Sequence, residues 1–495
     1  MKILFFAYFT SVDALHGAEL DLMQRHLDAG DDVTILYCDG NKDGCESNHQ
    51  CSVLSCYRCK LKRRHGLALL DGDVEAHPFT KWLSEDDKAL CEKLSQTSYE
   101  SKEAMKEWMV EDFDLGYAVL SSLISRYRNA HIVLEDHQDY VRRISQIALS
   151  VYYSVKAYLR EMPTSKVYVM NGRLAGFRAA VRACQFHSIP FATFDEGQDR
   201  QHFALYENSN PHDLDMHEKR TIEVWNRADK DTREAIGKKF FEDRVKGQIT
   251  GWNHGFISGQ KSGQLPSSWS PDRRNIVIFD SSEDECAAIG PRWDNPIYKD
   301  QLDGMSTILR ELSERRIPED LRFYIRMHPH MSGCDNFYTR TVLALGSENV
   351  EVIPPDSPVS TYELMRGAEK ILTFGSTVGI EAVFWGKPSI LAGEAYYGFL
   401  NATHNPTSHE ELMDLLVSRD TEGKDGKGPL IYGYYWETFG EPYRYCESNG
   451  PSSTGIEFRG HRVRGNLLIH HGLRVLADIE SRVRRFFSRT LTAST

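Results

Sequence analysis

The sequence predicts an α/β protein of two facing Rossmann-type domains with parallel sheets, and three observations carry that expectation. Apolar runs of strand length alternate with amphipathic stretches of helix length, the order that builds parallel sheets with helices on their faces. The alternation breaks at a Gly-, Ser-, Pro- and Trp-rich stretch over 250–274, whose clearest part is GQKSGQLPSSWSP, and restarts at Asn275. At 495 residues the chain is also too long for one core and suits two domains.

In chain order, KILFFAY at 2–8 reads as a strand, the periodic segment 19–27 as a helix ending near Gly30, and VTILYC at 33–38 as a second strand. From 80 to 165 the pattern is helical and charged, as in AVLSSLISRY. VYVMNG at 167–172 and FATF at 191–194 flank a helix through Arg178 and Cys184. After the break come strands NIVIFD (275–280), RFYIRMHP (322–329), NVEVI (349–353), KILTFGS (370–376) and PSILAG (388–393), with helices over 299–315, 361–367 and 378–385. The resulting division is 1–255, with a Cys-rich insertion at 38–65 and a helical insertion at 80–165, then 270–465, then a C-terminal closing helix over 466–495. That helix is expected to pack across both domains with Arg482, Arg484, Arg485 and Arg489 solvated. Peripheral contact of these arginines and Phe486 and Phe487 with an anionic membrane surface is the alternative.

Composition narrows the function. Apolar residues at 41% and charged residues at 26% are ordinary globular values. No apolar run approaches the ~18 residues of a membrane helix, and the N-terminus reads as a strand rather than a signal peptide, so a cytoplasmic protein is expected. A net charge of −12 argues against nucleic acid as a partner.

Ligands of open parallel sheets bind beyond the carboxyl ends of strands, and three such turns carry chemistry. Asp195-Glu196-Gly197 sets two carboxylates on a turn that glycine lets bend, a candidate general base beside its brace, or else an Asx-type turn. His328-Pro329 places a histidine where it can bind a phosphate oxygen and pass a proton to a leaving group, or serve structure alone. Gly375-Ser376-Thr377 puts two hydroxyls and backbone N–H groups at a helix start, an anion site, with Glu381 one turn on to accept from ribose hydroxyls. A plain N-cap needs only one hydroxyl.

Together these turns resemble the motif set of bacterial CMP-sugar-dependent GT-B transferases, the sialyltransferases and Kdo transferases. TFGSTVGIEAVFWGKPSIL also resembles the capsule polysaccharide biosynthesis proteins and, more distantly, the glycerophosphotransferases of teichoic acid synthesis. Asn171-Gly172-Arg173 and Asn210-Pro211-His212-Asp213 resemble the acceptor side of capsule and lipopolysaccharide enzymes. The resemblance implies a GT-B-like fold with an acceptor-side N-terminal domain and a nucleotide-sugar-binding C-terminal domain. It implies Glu196 as base with Asp195 in support, His328, Ser376 and Thr377 on the donor phosphate, and Glu381 on the nucleoside. Because the acid next to the glycine is often Asp in those enzymes, the choice between Asp195 and Glu196 stays open. Gly375, Ser281 of the Asp280-Ser281-Ser282 strand end, and Arg173, suited to an anionic group, complete the binding set. His16-Gly17-Ala18-Glu19 is a further acceptor or donor contact, or a cap.

The expected activity is transfer of a sugar from a nucleotide donor, CMP-linked for choice with UDP- and GDP-linked donors open because those enzymes share the fold, to a glycan or glycolipid acceptor of a capsule or O-antigen, with no divalent metal in catalysis. A polyol-phosphate transferase, a nucleotide-sugar epimerase and a non-catalytic glycan-binding protein are the alternatives. Separately, Cys38, Cys45, Cys51, Cys56 and Cys59 crowd one short stretch, and Cys51-x4-Cys56-x2-Cys59 has the spacing of plant-type iron–sulfur ligation, with Cys45 as fourth ligand. An iron–sulfur cluster is therefore expected on Cys45, Cys51, Cys56 and Cys59, zinc being the alternative metal and unligated thiols the bland reading. The run Lys60-Leu61-Lys62-Arg63-Arg64-His65 would offset its negative charge.

Overall fold

A computed structural model describes the chain apart from residues 11, 41–44, 249–258, 315–317, 319, 425, 449–454, 466 and 493–495, and apart from the side chains of 467 and 481–492. The chain divides into two compact units. Unit 1 is Met1–Arg126, Val133–His212 and Gly440–Thr495; unit 2 is Tyr127–Ile132 and Asp213–Phe439.

Unit 1 begins with β1 (Lys2–Ala7), α1 (Asp13–Asp28), β2 (Asp32–Tyr37), α2 (Val53–Leu67) and β3 (Val74–Pro78). The helices α3 (Glu85–Ser95), α4 (Lys102–Lys106), α5 (Leu115–Tyr127) and α6 (Gln138–Glu161) follow, then β4 (Lys166–Met170), α7 (Ala175–Phe186), β5 (Phe191–Glu196) and β6 (His202–Glu207). The sheet runs β12-β6-β5-β4-β1-β2-β3, where β12 is Glu441–Pro442. Strands β3 to β5 are mutually parallel, and β6 and β12 close the edge antiparallel. Continuous apolar runs form the inner strands because helices cover both faces. Phe5 of β1, fully buried, stacks on Tyr168 of β4 at 4.9 Å. Helix α6 buries Ile144, Ile147, Ala148, Val151 and Val155 at helical spacing, each large aliphatic side chain contributing roughly 1.5–3 kcal/mol; a charge at Ile144 would break that seam.

Unit 2 contains α8 (Leu214–Arg227), α9 (Arg233–Val245), β7 (Arg274–Phe279), α10 (Gln301–Glu314), β8 (Leu321–Arg326), α11 (Phe337–Leu343) and β9 (Val350–Ile353). Then come α12 (Thr361–Gly367), β10 (Lys370–Thr373), α13 (Val378–Phe384), β11 (Ser389–Leu391), α14 (His409–Val417) and α15 (Lys427–Glu437). Its sheet, β11-β10-β7-β8-β9, is parallel throughout. In strand order it repeats the parallel part of unit 1, so both units are Rossmann-like.

After Phe439 the chain returns to unit 1 with β12, the small antiparallel sheet β13 (Cys446–Ser448), β14 (Ile456–Phe458) and β15 (His461–Arg462), and α16 (Leu467–Thr492). Ser52, the N-cap of α2, donates to Glu480 of α16 at 2.7 Å. The division differs from the sequence expectation at three places, the shortest being Tyr127–Ile132, which falls in unit 2. Residues 213–245 belong to unit 2 because Phe240 and Phe241 enter its core, Phe241 stacking on Phe384 at 4.3 Å. Residues 440–465 belong to unit 1 because β12 extends its sheet and Ile456 packs on Gly17 of α1. Of the linker candidate, 250–258 lie outside the described residues, as do the side chains of Arg482, Arg484, Arg485, Phe486, Phe487 and Arg489. No helix among the described residues is long and apolar enough to cross a membrane.

Candidate functional site

In unit 2 the winding reverses between β7 and β10, and open α/β sheets take ligands beyond the strand carboxyl ends at such a point. A cavity of about 250 Å³ draws there on residues 280–282 after β7, 327–329 after β8 and 375–377 after β10. It brings together Ser281, His328, Gly375, Ser376, Thr377 and Glu381, six of the residues expected from sequence.

Each side chain is set by its turn. The His328 N–H donates to the Asp280 carboxylate, whose other oxygen accepts from Tyr338 Oη at 2.7 Å. Asp280, 1% exposed and pushed up to about 7 by burial, thus braces the His328 turn. His328 Nδ1 accepts from the His330 N–H at 3.2 Å, which leaves the ring proton of the neutral form on Nε2. Burial holds this imidazole down at about 4, with His330 and Arg326 adding, so at neutral pH it is an uncharged N–H donor.

Gly375 adopts φ +144°, and a Cβ there would stand 2.9 Å from the Glu394 carbonyl oxygen, so the turn admits only glycine. Tyr397 Oη donates to the Ser376 carbonyl at 2.6 Å and fixes the next peptide. Thr377 occupies the N-cap of α13 yet makes no side-chain cap bond, and Ser376 Oγ accepts only a long bond, 3.4 Å, from the Val378 N–H. The hydroxyl pair is therefore not spent on capping; the Thr377 hydroxyl instead meets the Glu381 carboxylate. Ser281 Oγ is buried without a hydrogen-bond partner, an arrangement that costs about 1–3 kcal/mol unless a ligand meets it. Glu381, 4% exposed and raised by burial, accepts from Tyr362 Oη at 2.9 Å and lies 3.7 Å from Arg244. Arg244 and Tyr362 also line the cavity and were not expected from sequence: one ends a helix and the other opens one, with no strand-end punctuation to mark them.

In unit 1 the Asp195-Glu196 turn closes β5. Both oxygens of Asp195 are engaged, Oδ2 by Asn171 Nδ2 at 2.5 Å and Oδ1 by the Glu196 N–H at 2.8 Å; burial raises its carboxyl, and Arg173 acts against that. The Arg173 side chain bonds Ser125 Oγ at 3.4 Å. Glu196 Oε1 has no hydrogen bond, the Arg200 guanidinium standing 3.6 Å away. Burial, then the neighbouring Asp195, lift the Glu196 carboxyl to about 8. Gly197 is required because a Cβ would stand 2.8 Å from the His202 backbone carbon across the β5–β6 hairpin. His16 and Glu19 bond each other at 3.0 Å and are buried in α1. Asn210 accepts from the His212 N–H, and Asp213 caps α8.

The cysteines gather differently from their expected spacing. Cys38, Cys45, Cys56 and Cys59 line one cavity of about 740 Å³ in unit 1, whereas Cys51 is absent from that lining and its Sγ accepts from Arg143 Nη1 at 3.3 Å. Cys51 sits at φ 52°, before the Ser52 cap, and so leaves the face that Cys56 and Cys59 share on α2. Among the described residues no three cysteine sulfurs lie within 4.8 Å of one another, so Cys45, Cys51, Cys56 and Cys59 do not form a single-ion site. The one trio at that spacing, His131, Glu283 and Asp300 of unit 2, pairs opposite ring nitrogens with the two carboxylates, which reads as an ion-pair arrangement.

Residues 293–414 match the family described as capsule polysaccharide biosynthesis protein, a segment that contains His328 and the 375–381 turn. Among solved structures the chain is similar to two of Thermosulfurimonas dismutans KpsC. Against the beta Kdo 2,4 transferase the identity is 14% and the TM-score 0.37, covering 63% of this chain and 87% of that one. Against the beta Kdo 2,7 transferase they are 15% and 0.34, covering 57% and 79%. A UDP-N-acetylglucosamine 2-epimerase from Listeria monocytogenes is similar at 13% identity and TM-score 0.26, covering 92% and 93%. At these TM-scores the likeness carries no functional argument. No curated protein sequence matches.

Proposed function

We propose that the chain is a glycosyltransferase of surface-polysaccharide synthesis, moving a sugar from a CMP-linked donor to a capsule, O-antigen or related glycan. The observation that carries this reading is the convergence of Ser281, His328, Ser376, Thr377 and Glu381 on one cavity at the unit 2 switch point, within the segment matched to the capsule family. The donor phosphate takes hydrogen bonds from His328 Nε2–H and the Ser281, Ser376 and Thr377 hydroxyls. Each bond to the charged oxygens contributes roughly 1.5–3 kcal/mol. Glu381 accepts from the ribose, and Arg244 on the same wall adds positive charge. Leaving-group charge is met by these groups without a divalent ion.

The acceptor base is assigned to Glu196. Its open Oε1 and its carboxyl near 8 suit proton abstraction close to neutral pH, while Asp195, engaged at both oxygens, positions it. Arg173 serves an anionic group of the acceptor. A thermal-shift comparison of CMP, UDP, GDP and CDP tests the reading. At about 100 times its Kd a ligand that binds the folded state stabilises it by about 2.7 kcal/mol. CMP is expected to raise the melting temperature most and Ser376→Ala to reduce that rise; no response to any nucleotide would overturn the assignment.

A further inference from the structure

We propose that unit 1 holds an iron–sulfur cluster ligated by Cys38, Cys45, Cys56 and Cys59. These four of the chain's ten cysteines converge on the wall of one cavity of about 740 Å³, from the end of β2, the segment after it and one face of α2. This set replaces Cys51, favoured by spacing, with Cys38, brought in by the fold.

Three of the four sulfurs already receive hydrogen bonds of the kind that favour a thiolate. The Gly40 N–H donates to Cys38 Sγ at 3.3 Å, Asn48 Nδ2 to Cys56 Sγ at 3.1 Å, and the Thr10 N–H to Cys59 Sγ at 3.4 Å. A neutral thiol sulfur is a weak acceptor, and N–H donors to sulfur are a main lever on cluster thiolates. The charge around the wall points the same way. Arg58, Lys60, Arg464 and Arg474 line the cavity, and the one carboxylate lining it among the described residues, Asp13, is ion-paired with Lys62 and Arg464. Four neutral thiols would leave this wall strongly cationic, whereas four thiolates on iron form an anionic group that matches it.

The nuclearity follows from spacing. A single zinc ion gathers its sulfurs to about 2.3 Å from itself, but among the described residues no three cysteine sulfurs come within 4.8 Å of one another. A polynuclear cluster spreads its ligands more widely, and the cavity has room for it. Ligation releases the thiol protons and involves no electron transfer in this role. The cluster ties the end of β2 to α2.

The full chain, purified without oxygen and, if iron-poor, reconstituted with ferric and ferrous iron and sulfide, is assayed for iron, acid-labile sulfide and visible absorbance. The expected result is iron and sulfide in about equal amounts, with a broad visible band bleached by dithionite. Cys38→Ser and Cys56→Ser are each expected to lose most of the iron, and Cys51→Ser to keep it. Circular dichroism identifies any variant that fails to fold, and Cys45→Ser and Cys59→Ser then decide. Folded wild-type protein that takes up no iron overturns the proposal. So does one tightly held zinc per chain, equal iron loss in Cys51→Ser, or an iron-free cavity whose ligand is inorganic phosphate, seen as a melting shift abolished by Arg474→Ala.

Discussion

Replacing Glu196 by Gln removes one titrating proton while keeping the shape of the turn. Burial and Asp195 lift this carboxyl from 4.5 to about 8, so between those values the native state holds a proton that the unfolded state has released. Stability therefore falls as pH rises across that window and levels off above 8. At about 1.4 kcal/mol per pH unit the ceiling is about 5 kcal/mol. The side chain keeps 18% of its exposure, and solvent screening brings the realised change to the order of 2–3 kcal/mol. The variant lacks this term, so its melting temperature is expected to match or trail wild type at pH 5 and to exceed it at pH 8.5. Activity should move oppositely. Wild-type kcat/KM is expected to rise with pH to a plateau above about 8, and Glu196→Gln to lose roughly 10²–10⁴-fold with a flat profile. A melting difference independent of pH would refute the buried-carboxyl account, and undiminished turnover would refute its role as base.

His328→Ala removes one N–H donor from the proposed phosphate site, and donor affinity measured by calorimetry should fall roughly 10- to 150-fold with the fold intact. Gly375→Ala forces a side chain into φ +144° and against the Glu394 carbonyl; a loss on the order of 1–3 kcal/mol is expected by thermal melting. Asp114, partly buried, is nonetheless lowered to about 2 by bonds from Arg182 and Arg178. The stability it contributes is present above its ordinary value of 3.8 and lost as pH falls toward 2. Asp114→Ala strands the buried Arg178 and is expected to cost about 3–5 kcal/mol, readable in denaturant melts at neutral pH.

The inner parallel strands were legible because they are buried on both faces, and Ile276, Val277 and Ile278 leave no polar interruption to misread, whereas the half-exposed edge strand β3 was not. The His328 and Gly375 turns were legible because proline and glycine punctuate strand ends. The strand β12 was not, since its pairing with β6 joins residues more than 200 positions apart. Nor does the local pattern of 213–245 say which core those helices join; Phe241 is directed by Phe384, far along the chain. Spacing favoured Cys51 over Cys38 because it counts along the chain, whereas the left-handed residue and cap before α2 turn Cys51 aside.

The return of residues 440–495 to unit 1 has a consequence for biogenesis. During synthesis the long stretch Asp213–Phe439 emerges whole and can consolidate early, while the earlier-made portion waits with the outer side of β6 and one face of α1 uncovered. The missing edge strand and its backing come from residues made after Phe439, so unit 1 is completed only after the Asp213–Phe439 stretch has been synthesised. Loss of β12 to β15 would thus damage a unit most of whose residues are translated before Asp213.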